Sequence, residues 1–295
     1  MCFVALGDST TVGIGDPITG SGWRGWARLL AAELARTHQL TYANLSVSGA
    51  TCESLRADQL HAALRARPHI ASVIVGVNDT MRSTWDPARV HDDILSSVGA
   101  LTDAGALVMT LRFHDHGRVL RLPALLRRPL LRRIEAINAA YDAAYASHGG
   151  IRIDLTDERV VHQREFWSVD RLHPSELGHR WLACEFAVGL RARGFRVGCP
   201  DIGTYTTPLP WQNAWWMVSE GIPWLGRRAN DVLPWAMRMA ATEVASRVRG
   251  GRAERGVRPA LRTERPVRLA RTGTPPAVPT HQTADTHAQV MSESP

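Results

Sequence analysis

The sequence predicts an α/β protein in three layers, α/β/α, with helices on both faces of a five-stranded parallel sheet. Three observations carry this expectation. Short apolar runs alternate with longer helical patterns over roughly the first 200 of 295 residues, and strands separated by a helix pair in parallel through right-handed crossovers. Polar clusters fall just beyond the apolar runs, where ligands bind in sheets of this kind. Finally, no run of about 18 apolar residues occurs, so no membrane-spanning helix is predicted.

In chain order, strands are expected at 2–6, 40–45, 70–75, 106–111 and 151–154, from apolar runs such as "CFVAL", "IASVIV" and "ALVMTL". Helices are expected between and after them at 23–37, 53–66, 87–103, 129–147 and 175–193. Residues 113–128, "FHDHGRVLRLPALLRR", form a long connection after the fourth strand and are expected to wall or cover the strand ends. Residues 199–249 hold five of the ten Trp, and 250–295 turn to Arg, Pro, Thr and Ala without periodicity. The expected organisation is a folded α/β body at 1–194, a helical Trp-rich extension at 195–249 and a disordered tail at 250–295.

At 44% hydrophobic and 21% charged residues, the composition suits an ordinary buried core. All 35 basic residues are arginine, and the net charge of +7 is unevenly spread. Residues 1–246 carry a net +2, 247–271 a net +7 and the remainder a net −2, so the basic character belongs to the tail. The start of the chain lacks the pattern of a secretory signal, and a cytoplasmic setting is expected. Cys2, Cys52, Cys184 and Cys199 show no paired CxxC spacing, so neither a zinc site nor a disulfide is expected, and four reduced thiols are.

Four clusters at strand ends bear chemistry. Gly7-Asp8-Ser9 follows the first strand, and a glycine there permits a sharp turn that leaves the serine hydroxyl exposed. Gly49, in "NLSVSGATCESL", is placed to offer a backbone N–H, and Asn78, in "VIVGVNDT", a side-chain amide. Taken singly, each has a plainer reading as a turn former, a turn glycine or an Asx turn. The fourth cluster, "SVDRLHPSELGHRWLA", sets Asp170 three residues before His173 and a helix start. An acid so placed can orient one imidazole nitrogen and leave the other for a serine.

In this order and at these positions, the four clusters resemble the SGNH hydrolases, the GDSL-type esterase and lipase superfamily, over residues 1 to about 194. The resemblance implies a flavodoxin-like sheet and a serine esterase acting on carboxylic esters. Ser9 would be the nucleophile, His173 the general base and Asp170 its orienting acid; the Ser9 and Gly49 amides with the Asn78 side chain would form the oxyanion hole. Thr10 departs from the family, many of whose members have leucine there. An acyltransferase would use the same residues, and a flavodoxin-like binding module would share the fold without needing the Asp170–His173 pair.

Other residues read more plainly. Asp8 and Asp79 are expected to bond turn backbone. His114 and His116 resemble metal ligands but lack a matching carboxylate or cysteine cluster, so no metal or cofactor is expected and pocket or surface roles are preferred. His179 is expected to pack or be solvated, and Arg112 is a candidate for the pocket. Trp211, Trp215 and Trp216 fit one side of a helix, followed by Trp224 and Trp235. Beside an Arg-rich tail, such a stripe has the composition of a peripheral membrane contact, but covering the hydrolase body or a dimer contact is preferred. The expected partner is a small-molecule ester, with no nucleic acid.

Overall fold

The computed structural model describes residues 1–18 and 22–201, with scattered positions between 234 and 243. The expected Trp-rich helix and Arg-rich tail lie outside the described residues.

Five strands form one sheet in the order β2-β1-β3-β4-β5, and every neighbouring pair is parallel. They are β1 (Cys2–Gly7), β2 (Thr41–Asn44), β3 (Ile70–Ile74), β4 (Leu107–Arg112) and β5 (Ile151–Asp154), where the apolar runs predict them. The central β3 is buried along its whole length, as a parallel strand covered on both faces must be. At the edge, β2 exposes Thr41 and Asn44. Leaving β1, the chain turns to one side for β2 and then crosses to the other for β3, which opens a crevice at the carboxyl ends of the strands.

Helices α2 (Gly25–Ala35) and α9 (Glu176–Ala192) pack against each other, as do α6 (Pro87–Asp103) and α8 (Ala124–His148). Trp26 and Phe186, both fully buried, meet between α2 and α9 with ring centroids 4.6 Å apart. Burying one such large apolar side chain stabilises the fold by about 1.5–3 kcal/mol.

Two helices depart from expectation. The pattern at 53–66 resolves into α3 (Cys52–Ser54), a π-helical turn at Leu55–Gln59 and α4 (Leu60–Arg65). The helix expected from residue 129 begins instead at Ala124, with Pro129 inside it. Its first turn is closed by the Leu126 and Arg127 amides, both bonded to the Pro123 carbonyl, so the helix is already under way when it reaches the proline, which has no N–H to give to the carbonyl four residues back. Residues 113–128 therefore form a short helix, α7 (His116–Val119), and the start of α8 rather than one long loop.

The expectation of four reduced thiols is corrected. Cys184 and Cys199 form a disulfide, and Cys2 and Cys52 are free. After α9 the chain folds back along that helix, where Arg191 donates to the Val197 carbonyl at 3.2 Å and brings the two cysteines together. Spacing rules for CxxC pairs do not register such a return. Among the described residues, no helix is long and apolar enough to cross a membrane.

Thiol titration of the denatured, unreduced chain is expected to find two reactive cysteines, rising to four after reduction. Four before reduction would contradict the disulfide.

Candidate active site

The site begins where β1 ends. A Cβ on Gly7 would lie 2.5 Å from the Ile74 carbonyl oxygen, so only glycine lets the first strand finish this close to the third. Asp8 then caps α1 (Ser9–Val12): its carboxylate accepts from the Thr10 amide at 3.0 Å, while its own amide donates to the Ile74 carbonyl at 3.2 Å. Ser9 follows as the first residue of that helix.

From the far end of the chain, residues 167–174 fold into a tight turn in which Trp167 and Pro174 pair as an isolated bridge. Asp170 Oδ1 accepts from the Ser168 hydroxyl at 2.7 Å, the Leu172 amide at 2.9 Å and the His173 amide at 3.1 Å. Its Oδ2 lies 2.6 Å from His173 Nδ1, and His173 Nε2 lies 2.8 Å from Ser9 Oγ. Burial pushes the Asp170 carboxyl up, but the hydrogen bonds from the His173 ring, the His173 amide and the Leu172 amide outweigh it and hold it below the usual carboxylate range. An ionised carboxylate only accepts, so Nδ1 of a neutral His173 carries the proton and Nε2 faces the serine as an acceptor.

Two devices hold the halves together. A Cβ on Gly15 would lie 2.0 Å from the Pro174 carbonyl oxygen, and its φ is +103°, so the loop after Ser9 can press against the His173 turn only as glycine. His179, fully buried on α9, accepts from the Trp26 amide at Nδ1 (3.2 Å) and donates to the Ile14 carbonyl from Nε2 (3.0 Å). Burial brings its pKa down to about 4, consistent with that neutral bridging role.

Asn78, buried on α5 (Val77–Thr80), donates to the Ala50 carbonyl at 3.1 Å and makes a longer contact of 3.4 Å with Asp8 Oδ2. It thus bridges the residue before Ser9 and the residue after Gly49. Gly49 lines a cavity of about 500 Å³ with Thr51, Asp79, Trp85 and Arg89. Asp79 accepts from the Cys52 amide at 3.1 and 3.3 Å. Burial raises both Asp8 and Asp79 to about 6. Both aspartates bond backbone, Asp8 at the start of α1 next to it and Asp79 at the start of the distant α3 rather than in its own turn.

Three polar side chains secure the strand ends, and the sequence reading did not single them out. Gln59, on the π-helical turn, bonds both the amide (2.9 Å) and the carbonyl (3.0 Å) of Gly7. Tyr141 does the same for Val75, and Asn138 for Phe113. Asn138 and Tyr141 lie three residues apart on the otherwise apolar buried side of α8. That pair of polar residues was a signal available in the sequence.

Two expectations are revised. His114 and His116 are neither surface groups nor gathered with other ligands: they stack in the interior at 4.0 Å, with His114 4.7 Å from the Trp167 ring. Burial lowers the pKa of both, His116 to about 4. Among the described residues, no group of three or more His, Cys, Asp or Glu side chains could hold a metal. Arg112 pairs with Asp154 at 2.6 Å across the ends of β4 and β5, which commits it to the sheet rather than to a pocket.

Residues 5–181 match the family described as GDSL-like lipase/acylhydrolase. No curated protein matches the chain. Among solved structures, TesA superposes with a TM-score of 0.51 at 22% identity, covering 65% of this chain and 99% of that one. LAE5, an alpha/beta hydrolase from the metagenome of Lake Arreo, gives 0.53 at 21%, with 67% and 96% covered. A lipase/acylhydrolase from Enterococcus faecalis gives 0.52 at 20%, with 65% and 97% covered. At such identities the likeness to these structures is one of fold.

The raised Asp79 makes a pH prediction. A carboxyl whose folded pKa stands near 6, above an unfolded value near 4, favours folding fully below pH 4 and loses that contribution as pH rises through 6. Asp79→Asn should therefore gain stability relative to the unmutated protein across that window, by on the order of 2 kcal/mol at pH 8, in urea unfolding. A difference that is the same at pH 4 and pH 8 would contradict this. Gly15→Ala should cost about 1–3 kcal/mol in the same assay, because it loads a left-handed position as well as striking Pro174.

Proposed function

Because the chain belongs to the GDSL-like lipase/acylhydrolase family and so hydrolyses ester bonds, we propose that it does so with Ser9 as nucleophile, His173 as general base and Asp170 as the acid that orients it. The carrying observation is the unbroken chain of contacts from Asp170 Oδ2 through both imidazole nitrogens to Ser9 Oγ, at 2.6 and 2.8 Å. A hydroxyl is a weak nucleophile until a base accepts its proton, and this chain supplies the base in the required tautomer.

In the first step Ser9 Oγ bonds to the ester carbonyl carbon as His173 Nε2 takes the hydroxyl proton. Negative charge then collects on the former carbonyl oxygen. Its donors are the Ser9 amide, which as the first residue of α1 has no partner within that helix, the Gly49 amide and the Asn78 side chain. The 3.4 Å contact between Asn78 and Asp8 is the longer of the two that Asn78 makes, and a substrate oxygen would take it over. Collapse of the adduct breaks the bond to the alcohol oxygen, which leaves with the proton from His173. Water, deprotonated by His173, attacks the acyl-Ser9 ester, and the acid departs as Ser9 regains its proton.

The electrostatics fit this cycle. Imidazolium formed in each step lies against a carboxylate held ionised by its own hydrogen bonds, so the positive charge is stabilised where it arises. The cavity beside Gly49 lies on the donor side and offers room for part of the ester.

On p-nitrophenyl acetate, Ser9→Ala and His173→Ala should each lower kcat on the order of 10⁴-fold or more. Asn78→Ala should lower it about 10²- to 10³-fold. Asp170→Asn should do less damage than loss of His173. Near-normal turnover in the serine or histidine variant, with the fold intact by circular dichroism, would overturn the assignment.

A further inference from the structure

A second pocket lies against the turn that carries Asp170 and His173. It has a volume of about 180 Å³ and is lined by Arg118, Arg121, Arg164 and Arg171, together with His162 and Trp167 and their immediate neighbours. Among the described residues, no carboxylate lines it. Arg171 directly follows Asp170, and Trp167 pairs with Pro174, so the inner wall of this pocket is part of the turn that presents His173.

Among the described residues, none of its four arginines is ion-paired with an acid, although the Asp115 and Asp157 charges reach His162. By contrast, Arg112 pairs with Asp154 and Arg24 with Asp16. Arg164 donates to the Trp167 and Ser168 carbonyls at 2.6 and 2.9 Å, which fixes its guanidinium in place. Arg118 lies 3.4 Å from His162 Nε2. The Asp115 carboxylate, on the same segment, is spent on Arg127 at 2.8 Å and on the Arg118 amide at 3.0 Å. Arg121 and Arg171 adopt left-handed backbone conformations, with φ of +56° and +57°. Besides these two, only Arg67 does so among the described non-glycine residues. Residues held in that region cost energy and persist only where the surrounding structure over-determines them, and such positions gather at ligand clamps. Burial and the nearby Arg121 and Arg164 charges also pull the Arg171 pKa down, the mark of cations held together without a counter-charge.

We propose that this pocket is an anion subsite, and that it takes a phosphoryl group carried by the ester on which Ser9 acts. The second half of this rests on the esterase reading above. Four guanidinium groups suit a dianion better than a carboxylate or a sulfate ester, each of which carries one charge, and guanidinium geometry matches phosphoryl oxygens in pairs. Placed behind the His173 turn, the subsite would hold one end of the ester while the scissile carbonyl reaches Ser9.

Two arms test it separately. In the first, inorganic phosphate is titrated at constant ionic strength and the Tm is followed, with acetate as the control. Phosphate should raise the Tm saturably, acetate should not, and the double variant Arg118→Gln with Arg121→Gln should lose the effect; Ser9→Ala should keep it. No saturable rise, or an equal rise in the double variant, overturns the anion subsite. In the second arm, a phosphoryl-bearing ester is compared with a neutral ester of the same acyl chain. The ratio of their kcat/KM values should favour the phosphoryl ester on the order of tenfold or more and should collapse toward one in the double variant. A ratio near one in the unmutated protein overturns the substrate assignment. Running the pair both as a short-chain soluble ester and as a long-chain ester in micelles distinguishes a small phosphorylated substrate from a lipid headgroup. Loss of turnover on every ester, with phosphate binding intact, would instead overturn the hydrolase reading and leave the anion subsite standing.

Discussion

A 2.8 Å contact between Ser9 Oγ and His173 Nε2 joins residues 164 positions apart, and most of the structure around it serves to hold that contact. Neither partner has a strong local reason to stay where it is. Ser9 sits at the start of a four-residue helix, too short to be stable alone, and His173 sits on a turn with no strand of its own. Their meeting depends on the sheet, which ends β1 and β3 side by side, and on α9, which returns the chain from residue 175 across the same face. Gly15 against Pro174 and His179 between Trp26 and Ile14 lock the two segments where the side chains must touch.

A common device recurs at the strand ends. Backbone groups just past a parallel strand have lost their ladder partners but remain buried, and a buried orphan costs about 1–3 kcal/mol. Here helical side chains bond both the amide and the carbonyl of one residue at the end of β1, of β3 and of β4, through Gln59, Tyr141 and Asn138 respectively. The π-helical turn at Leu55–Gln59 is part of the same arrangement, since it is this turn that carries Gln59 to Gly7. Rigidity near the proposed nucleophile is thus obtained from polar bonds at its rear rather than from contacts in the crevice itself, which stays open to a ligand.

The sheet was legible because each strand combines a short apolar run with a helical pattern on either side, and burial on both faces demands such runs. The candidates for the site drew attention for a related reason: Ser9 and Asn78 stand within a few residues of a strand end, and His173 just before a long helix, where residue type and position speak together. What escaped depends on contacts between distant segments. The Cys184–Cys199 pairing follows from the chain doubling back after α9, which no spacing pattern records. The start of α8 was hidden because Pro129 reads as a helix beginning, while the turn closed on Pro123 leaves no such mark. His114 and His116 looked like ligands because the sequence shows two histidines but not the Trp167 ring that covers them. The basic pocket was invisible for the same reason: Arg118 and Arg121 are brought beside Arg164 and Arg171 by the fold alone.

Charge is distributed with a purpose that sequence totals conceal. Residues 1–246 carry a net charge of only +2, yet among the described residues some arginines are paired with acids, as Arg112 with Asp154 and Arg24 with Asp16, while four gather without an acid partner behind the His173 turn. The most direct test of the proposed nucleophile is covalent: treatment with a fluorophosphonate, followed by mass spectrometry of the digested protein. One adduct, on the peptide containing Ser9 and formed far more slowly in His173→Gln, is the predicted result. An adduct on a different residue, or labelling that persists undiminished in Ser9→Ala, would contradict it.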